Sequence, residues 1–145
     1  MKVILGADHG GFEMKEEIKK WLVDEGYTVE DVGAINLVEE DDFVYYAKQA
    51  VKAASSSGDR VVLFCRNGFG MSIAANRFAG VLCGLGFDEE AVRKGRTDDD
   101  INALSIPSDY VDKVSTMRMI KIFLTEEGPR EDKYKRRIMK LDNLP

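Results

Sequence analysis

Histidine is nearly absent from this chain of 145 residues: His9 is the only one. Cysteine is scarce too, with Cys65 and Cys83 far apart. One histidine and two scattered thiols give no zinc-ligand spacing and no disulfide framework. Both cysteines sit in apolar runs, which predicts reduced thiols and a cytoplasmic protein. No run approaches the ~18 apolar residues of a membrane span. At the N-terminus Asp8 ends the apolar stretch too early for a signal peptide. Three prolines and one brief Ser55-Ser56-Ser57-Gly58 stretch supply no interdomain linker, and no repeat of fixed period is visible. Positive charge is also short. A formal net charge of -5 argues against nucleic acid as the main partner.

What is present suits one domain spanning residues 1–145. Hydrophobic residues make up 44% and charged residues 32%, enough apolar material for a single core. Short apolar runs alternate with amphipathic stretches. Val3-Ile4-Leu5 reads as the first strand, and Met14, Ile18, Trp21 and Leu22 mark the helix after it, closed by Gly26. The second strand is residues 27–32, near an edge. A helix follows with Phe43, Ala47, Ala50, Val51 and Ala54 on one face. Strand three is Arg60 to Phe64 and strand four Val81 to Gly86, with a polar helix from about Asp88 to Gly95. Strand five is Ile101 to Ile106, before a helix carrying Val111, Val114, Met117, Ile120 and Leu124. A basic helix, about 130–141, ends the chain. Continuous apolar strands are covered on both faces, which predicts an α/β fold: a Rossmann-like three-layer αβα sandwich with a five-stranded parallel sheet. Right-handed crossovers gather the strand-to-helix turns at the carboxyl edge, where such sheets bind ligands.

The most informative turn is Cys65-Arg66-Asn67-Gly68-Phe69-Gly70-Met71. It places a thiol at a strand end beside the free amides of a helix start. Those amides and the helix dipole favour an anion, and the same field predicts a lowered thiol pKa. The alternative is a buried cysteine before an ordinary turn. With Asp8, His9, Asn67, Asp98 and Asp99 expected on the same edge, the chemistry that fits is proton abstraction next to a carbonyl. A thiolate serves as base and turn amides hold the enediolate oxygen. No metal or cofactor is required. No G-x-S-x-G elbow, dinucleotide fingerprint or Walker lysine is present. Lys133 and Arg137, i and i+4 on the last helix, form either a phosphate anchor or a solvated charged face.

Gly6-Ala7-Asp8-His9-Gly10-Gly11-Phe12 with Lys15, then Asp42-Phe43 with Ala47, then Cys65 to Asn76, and Ala79-Gly80-Val81 together resemble the ribose-5-phosphate isomerase B and galactose-6-phosphate isomerase family. The resemblance runs over nearly the whole chain. It implies a homodimer or a pair of dimers, with sites at the interface and the C-terminal helix packing across it. It also implies metal-independent aldose–ketose isomerisation of a sugar phosphate through a cis-enediolate. By position, Cys65 matches the family's cysteine base. Phe69 stands where the other branch has glutamate. Arg66, Asn67, Gly68, Phe69 and Gly70 form the substrate-binding turn, while Asp8 and His9 match the pair that contacts sugar and phosphate. Arg137 matches a phosphate-binding arginine, and Lys133 stands where another is usual.

Several positions depart from the family pattern. Asp98 replaces the ring-opening histidine, Asp99 an asparagine, Asp109 a partner-subunit arginine, Tyr134 a histidine and Arg66 a glycine. The enolisation half of the machinery is kept, while ring opening and phosphate binding are altered. Two expectations follow: an isomerase with Cys65 as base and Asp98 as its altered proton shuttle, or a sugar-phosphate-binding homologue without turnover.

Overall fold

The computed structural model describes residues 1–38 and 40–145. Five parallel strands form one sheet: β1 (Lys2–Ala7), β2 (Thr28–Asp31), β3 (Arg60–Cys65), β4 (Cys83–Leu85) and β5 (Ala103–Pro107). Six helices connect and flank them: α1 (Phe12–Asp24), α2 (Phe43–Ala53), α3 (Phe69–Ala75), α4 (Glu89–Asp99), α5 (Lys113–Thr125) and α6 (Asp132–Leu141). The strand order is β2-β1-β3-β5-β4. The chain winds outward from β1 to β2, then crosses back to β3 and winds the other way. The winding therefore reverses between β1 and β3, and a crevice opens between their carboxyl ends.

Alternation along the strands sorts the core into two layers. Val3, Leu5, Ala7, Val62, Phe64, Leu104 and Ile106 pack with Ile18 and Leu22 of α1 and with Met119, Ile120 and Phe123 of α5. Ile4, Val61, Leu63, Cys65 and Ala103 face the other way, onto Ala47 and Ala50 of α2 and Met71, Ala74 and Ala75 of α3. Each fully buried Leu, Ile, Val or Phe contributes roughly 1.5–3 kcal/mol, whereas exposed ion pairs such as Arg130–Glu127 contribute about 0–1. The layers, not the surface charges, hold the sheet and so fix where its turns emerge.

The structure differs from the sequence reading at three places. The apolar run 81–86 supplies a strand of only three residues at the sheet's edge, half-buried rather than covered on both faces. Strand five starts at Ala103, two residues later than expected. The polar helix continues past Gly95 to Asp99. Gly95 is there for close packing: a Cβ on it would lie 2.9 Å from Ile101 Cδ1. Arg96, buried, then closes the helix by donating to Asp100 Oδ1 at 2.6 Å and to the Ile101 carbonyl at 2.7 Å. No helix among the described residues is long and apolar enough to cross a membrane.

Candidate active site

β3 delivers Cys65 to the crevice on the face covered by α2 and α3, and the turn that follows wraps its sulfur. Gly68 adopts φ 77°, a left-handed conformation that glycine takes without penalty. That conformation turns its N–H back onto Cys65 Sγ at 3.2 Å. A side chain would not fit, since a Cβ would meet Leu85 Cδ1 at 2.5 Å. Asn67 Oδ1 accepts the Phe69 amide at 3.0 Å and fixes the turn from its other side. Ser105, fully buried on β5, donates its hydroxyl to the Gly68 carbonyl at 2.6 Å.

The expected lowering of the Cys65 pKa is not what this geometry yields. Burial pushes the thiol up, because the thiolate loses its water. Amides of Met71, Gly68 and Asn67 oppose the rise, while the charge of Asp8 adds to it. α3 has only seven residues, so its dipole does not offset burial of a side chain only 5% exposed. Cys65 is thus held as a thiol that becomes a strong base once ionised.

Across the crevice, β1 ends in Asp8 and a single 3-10 turn over His9–Gly11. Asp8 Oδ1 accepts the amides of Gly10 at 3.0 Å and Gly11 at 3.2 Å. Gly11 lets this turn press on β3, since a Cβ would lie 2.3 Å from the Phe64 carbonyl. Burial raises the Asp8 pKa, His9 lowers it, and Asp41 raises it further. His9 Nδ1 lies 2.7 Å from Asp41 Oδ1, which also accepts the His9 amide at 3.1 Å. Tyr46 of α2 stands beside this pair; burial first, then the charge of Asp41, pushes its phenol up. Asp8, His9 and Asp41 each bring one potential ligand atom within 4.8 Å of the others, the one such group among the described residues. The 2.7 Å contact is hydrogen-bond length, with a proton between the two atoms.

Arg66 joins the two turns. Its Cγ sits where a Cβ on Gly10 would come within 2.5 Å, and its guanidinium reaches Asp109 Oδ2 at 3.5 Å. Phe69 is exposed at the head of α3, and Gly70 packs on the Phe43 ring. These residues, with Asp8, His9, Cys65, Asn67 and Gly68, share the carboxyl edge as expected. Asp98 and Asp99 do not. They end α4, next to Asn102, whose carbonyl accepts the Val61 amide at the amino end of β3. Cys65 lies at the opposite end of that strand, so one chain does not unite them. The reason is their place in the chain: α4 leaves the carboxyl end of β4 and runs back, so its last residues, just before β5, lie at the amino edge. Asp98 instead accepts from Thr97 Oγ1 at 2.8 Å and lines a groove of about 340 Å³ with Lys94, Gly128 and Tyr134.

Lys133 and Arg137 lie on α6, which runs beside α4 rather than over the Cys65 turn. Both stack on Tyr134, Lys133 at 4.8 Å and Arg137 at 5.6 Å from its ring centre, and Lys133 pairs with Glu131 at 3.3 Å. α6 buries no residue, and its Met139 and Leu141 are open to solvent in the single chain. Asp41, Tyr46 and Ser105 were not singled out by sequence reasoning. They are ordinary polar residues in a loop, a helix and a strand, and only the fold brings them to the site.

A doubly wound parallel sheet with a thiol, a carboxylate and turn amides at its switch point defines the class: an α/β protein whose candidate active site lies at the carboxyl edge of its sheet. The family model described as Ribose/Galactose Isomerase matches residues 3–141. The chain is 34% identical over 126 residues to a 4-deoxy-4-sulfo-D-erythrose isomerase of Clostridium sp. (strain MSTE9), covering 86% of this chain and 79% of the relative. It is 37% identical over 111 residues to ribose-5-phosphate isomerase B of Escherichia coli (strain K12), covering 76% and 74%. A ribose 5-phosphate isomerase of Thermotoga maritima superposes with a TM-score of 0.92 at 33% identity, covering 99% of this chain and 98% of that one. The chain belongs to the ribose/galactose isomerase family. It is a sugar-phosphate isomerase by family, and its relatives act on more than one sugar.

Proposed function

We propose that this protein interconverts an aldose and a ketose of a sugar phosphate resembling ribose 5-phosphate, through a cis-enediolate with Cys65 as base. The observation that carries this reading is the Cys65 sulfur under the Gly68 amide, at the switch point and across from Asp8. The Cys65 thiolate takes the C2 proton of the open-chain aldose. Electrons move to the carbonyl oxygen, and the amides of the 67–71 turn receive the charge. The O2 proton passes to O1, the proton held on Cys65 goes to C1, and C2 becomes the carbonyl. A thiol whose proton is held tightly by burial is scarce as thiolate at neutral pH, but each thiolate is the stronger base.

Asp98, Asp99, Lys133 and Arg137 would enter this site only from a second copy. Support for a homodimer comes from α6, whose apolar residues lack cover in one chain. The anionic end of the substrate meets Arg66 on the Cys65 side. A sulfonate is a second plausible anion, since one relative is a sulfoerythrose isomerase.

A second reading is a sugar-phosphate-binding homologue without turnover. It is favoured by Arg66, whose charge is already shared with Asp109. Ketose formation from a panel of four-, five- and six-carbon aldoses bearing terminal phosphate or sulfonate, followed by proton NMR, separates the two. Turnover of any member supports the isomerase. Binding of a member with no turnover of any supports the second reading.

A further inference from the structure

We propose that Asp41 is a positioning residue that holds His9 as the proton carrier for opening the sugar ring. This rests on the isomerase reading above and adds a step to it. Asp41 makes two contacts to the same residue: Oδ1 accepts the His9 backbone amide at 3.1 Å and meets His9 Nδ1 at 2.7 Å. Together they fix both the start of the 3-10 turn and the plane of the ring. The Asp41 side chain is 8% exposed, so the contact is shielded from water. Its other oxygen, Oδ2, is buried without a partner at hydrogen-bond distance among the described residues, with the Tyr46 phenol beside the carboxylate.

A carboxylate is an acceptor only, so the proton of the contact sits on Nδ1. Nε2 is then the one ring nitrogen left to meet substrate. His9 follows Asp8 at the switch-point crevice, and its side chain is 21% exposed. The chemistry this permits is balanced on one group. Nε2 takes the proton of the anomeric hydroxyl as the bond between C1 and the ring oxygen breaks. The ring oxygen leaves as an alcohol by taking that proton back from Nε2. The products are an open-chain aldehyde and an unchanged imidazole. Asp98, the carboxylate that replaces a histidine in the family pattern, lies at the other edge of its own chain. His9 is the only imidazole the chain possesses and it is at the correct edge.

Because His9 is the sole histidine, its imidazole resonances in the full-length, 15N-labelled protein need no assignment strategy. With the ring neutral, the wild type should carry its proton on Nδ1. Asp41→Ala should move it to Nε2, the form a free imidazole prefers. Asp41→Asn keeps an acceptor oxygen and should retain part of the Nδ1–H signal. An Nε2–H ring in the wild type, or an unchanged ring in Asp41→Ala, overturns the proposal. Kinetics supply the second arm. An aldopentose 5-phosphate cyclises, whereas an aldotetrose 4-phosphate has its O4 blocked and stays open. Asp41→Ala should slow the pentose about 10- to 100-fold and slow the tetrose far less. Equal slowing of both, or of neither, contradicts a ring-opening role. A wild type that turns over neither sugar overturns the isomerase reading itself and with it the ring-opening step, while the NMR result still decides whether Asp41 orients His9.

Discussion

The hydroxyl of Ser105 donates a 2.6 Å hydrogen bond to the carbonyl of Gly68, the residue whose amide meets the Cys65 sulfur. A buried strand residue on β5 thereby sets the pitch of the turn on β3. Ser105→Ala should cost about 1 kcal/mol of stability. The Gly68 carbonyl keeps the Ser72 amide as a partner, so the fold should survive. Turnover should fall further than stability does, with kcat affected more than KM. Urea unfolding beside steady-state kinetics checks this.

Lys15 is fully buried and its ammonium donates to Asp31 at 2.6 Å, Glu16 at 2.7 Å and the Ala34 carbonyl at 2.9 Å. Asp31 also holds Lys19 and the Gly33 amide. Asp31→Asn strands a buried cation and should cost about 3 kcal/mol. Lys15→Met removes the charge itself and should cost less, because Lys19 still satisfies Asp31. Chemical denaturation of the two variants tests that order. Burial works to raise the Asp31 pKa, but its lysine and amide partners lower it overall. Its contribution is therefore present above the ordinary carboxylate value of 3.8 and is lost as pH falls through the lower folded value.

The two thiols give opposite trends in rate and stability on the alkaline side. Burial raises Cys65 above the ordinary 9.0, and burial pushes Cys83 up to about 12. The folded chain holds these protons more tightly than the unfolded chain. Stability should therefore fall as pH rises above about 9. Isomerisation by a Cys65 thiolate should instead quicken through neutral pH and keep rising toward that limit. A pH series of melting temperatures and of kcat/KM should show the two curves diverging. A rate that declines from pH 6 to 8 contradicts Cys65 as the base.

Gly11 and Gly26 look alike in sequence, each next to a helix, but they differ in space. A Cβ on Gly11 would press into the Phe64 carbonyl at 2.3 Å, a backbone atom that does not move aside. Gly26 has φ 88° with open space around it. Gly26→Ala should cost about 1 kcal/mol from backbone strain alone. Gly11→Ala should displace the Asp8–His9 turn and lose activity, with a larger drop in melting temperature than Gly26→Ala.

The alternation of apolar strand and amphipathic helix made the three-layer sandwich legible, and the glycine turns marked its working edge. The order of β4 and β5 was not legible. An apolar run at an edge reads like a buried one until its cover is known, and 81–86 was such a run. The length of α4 was hidden by Gly95, a residue that ends helices in isolation but here allows contact with Ile101. Asp98 and Asp99 were expected at the carboxyl edge, but they precede β5 and so lie where a crossover helix returns to the amino edge. The Cys65 turn was found by its glycines, yet the direction of its thiol pKa depended on burial. Asp41 was visible only as part of an acidic loop; its partnership with His9 spans 32 positions and needs the fold.

The central claim is that Cys65 removes the C2 proton of a sugar phosphate. Proton NMR in heavy water, with five-carbon aldose phosphates and both wild type and Cys65→Ala, reads that step even when no ketose accumulates. The account predicts loss of the C2 proton signal with the wild type and its persistence with a Cys65→Ala variant that still folds. Equal exchange by both proteins would contradict it.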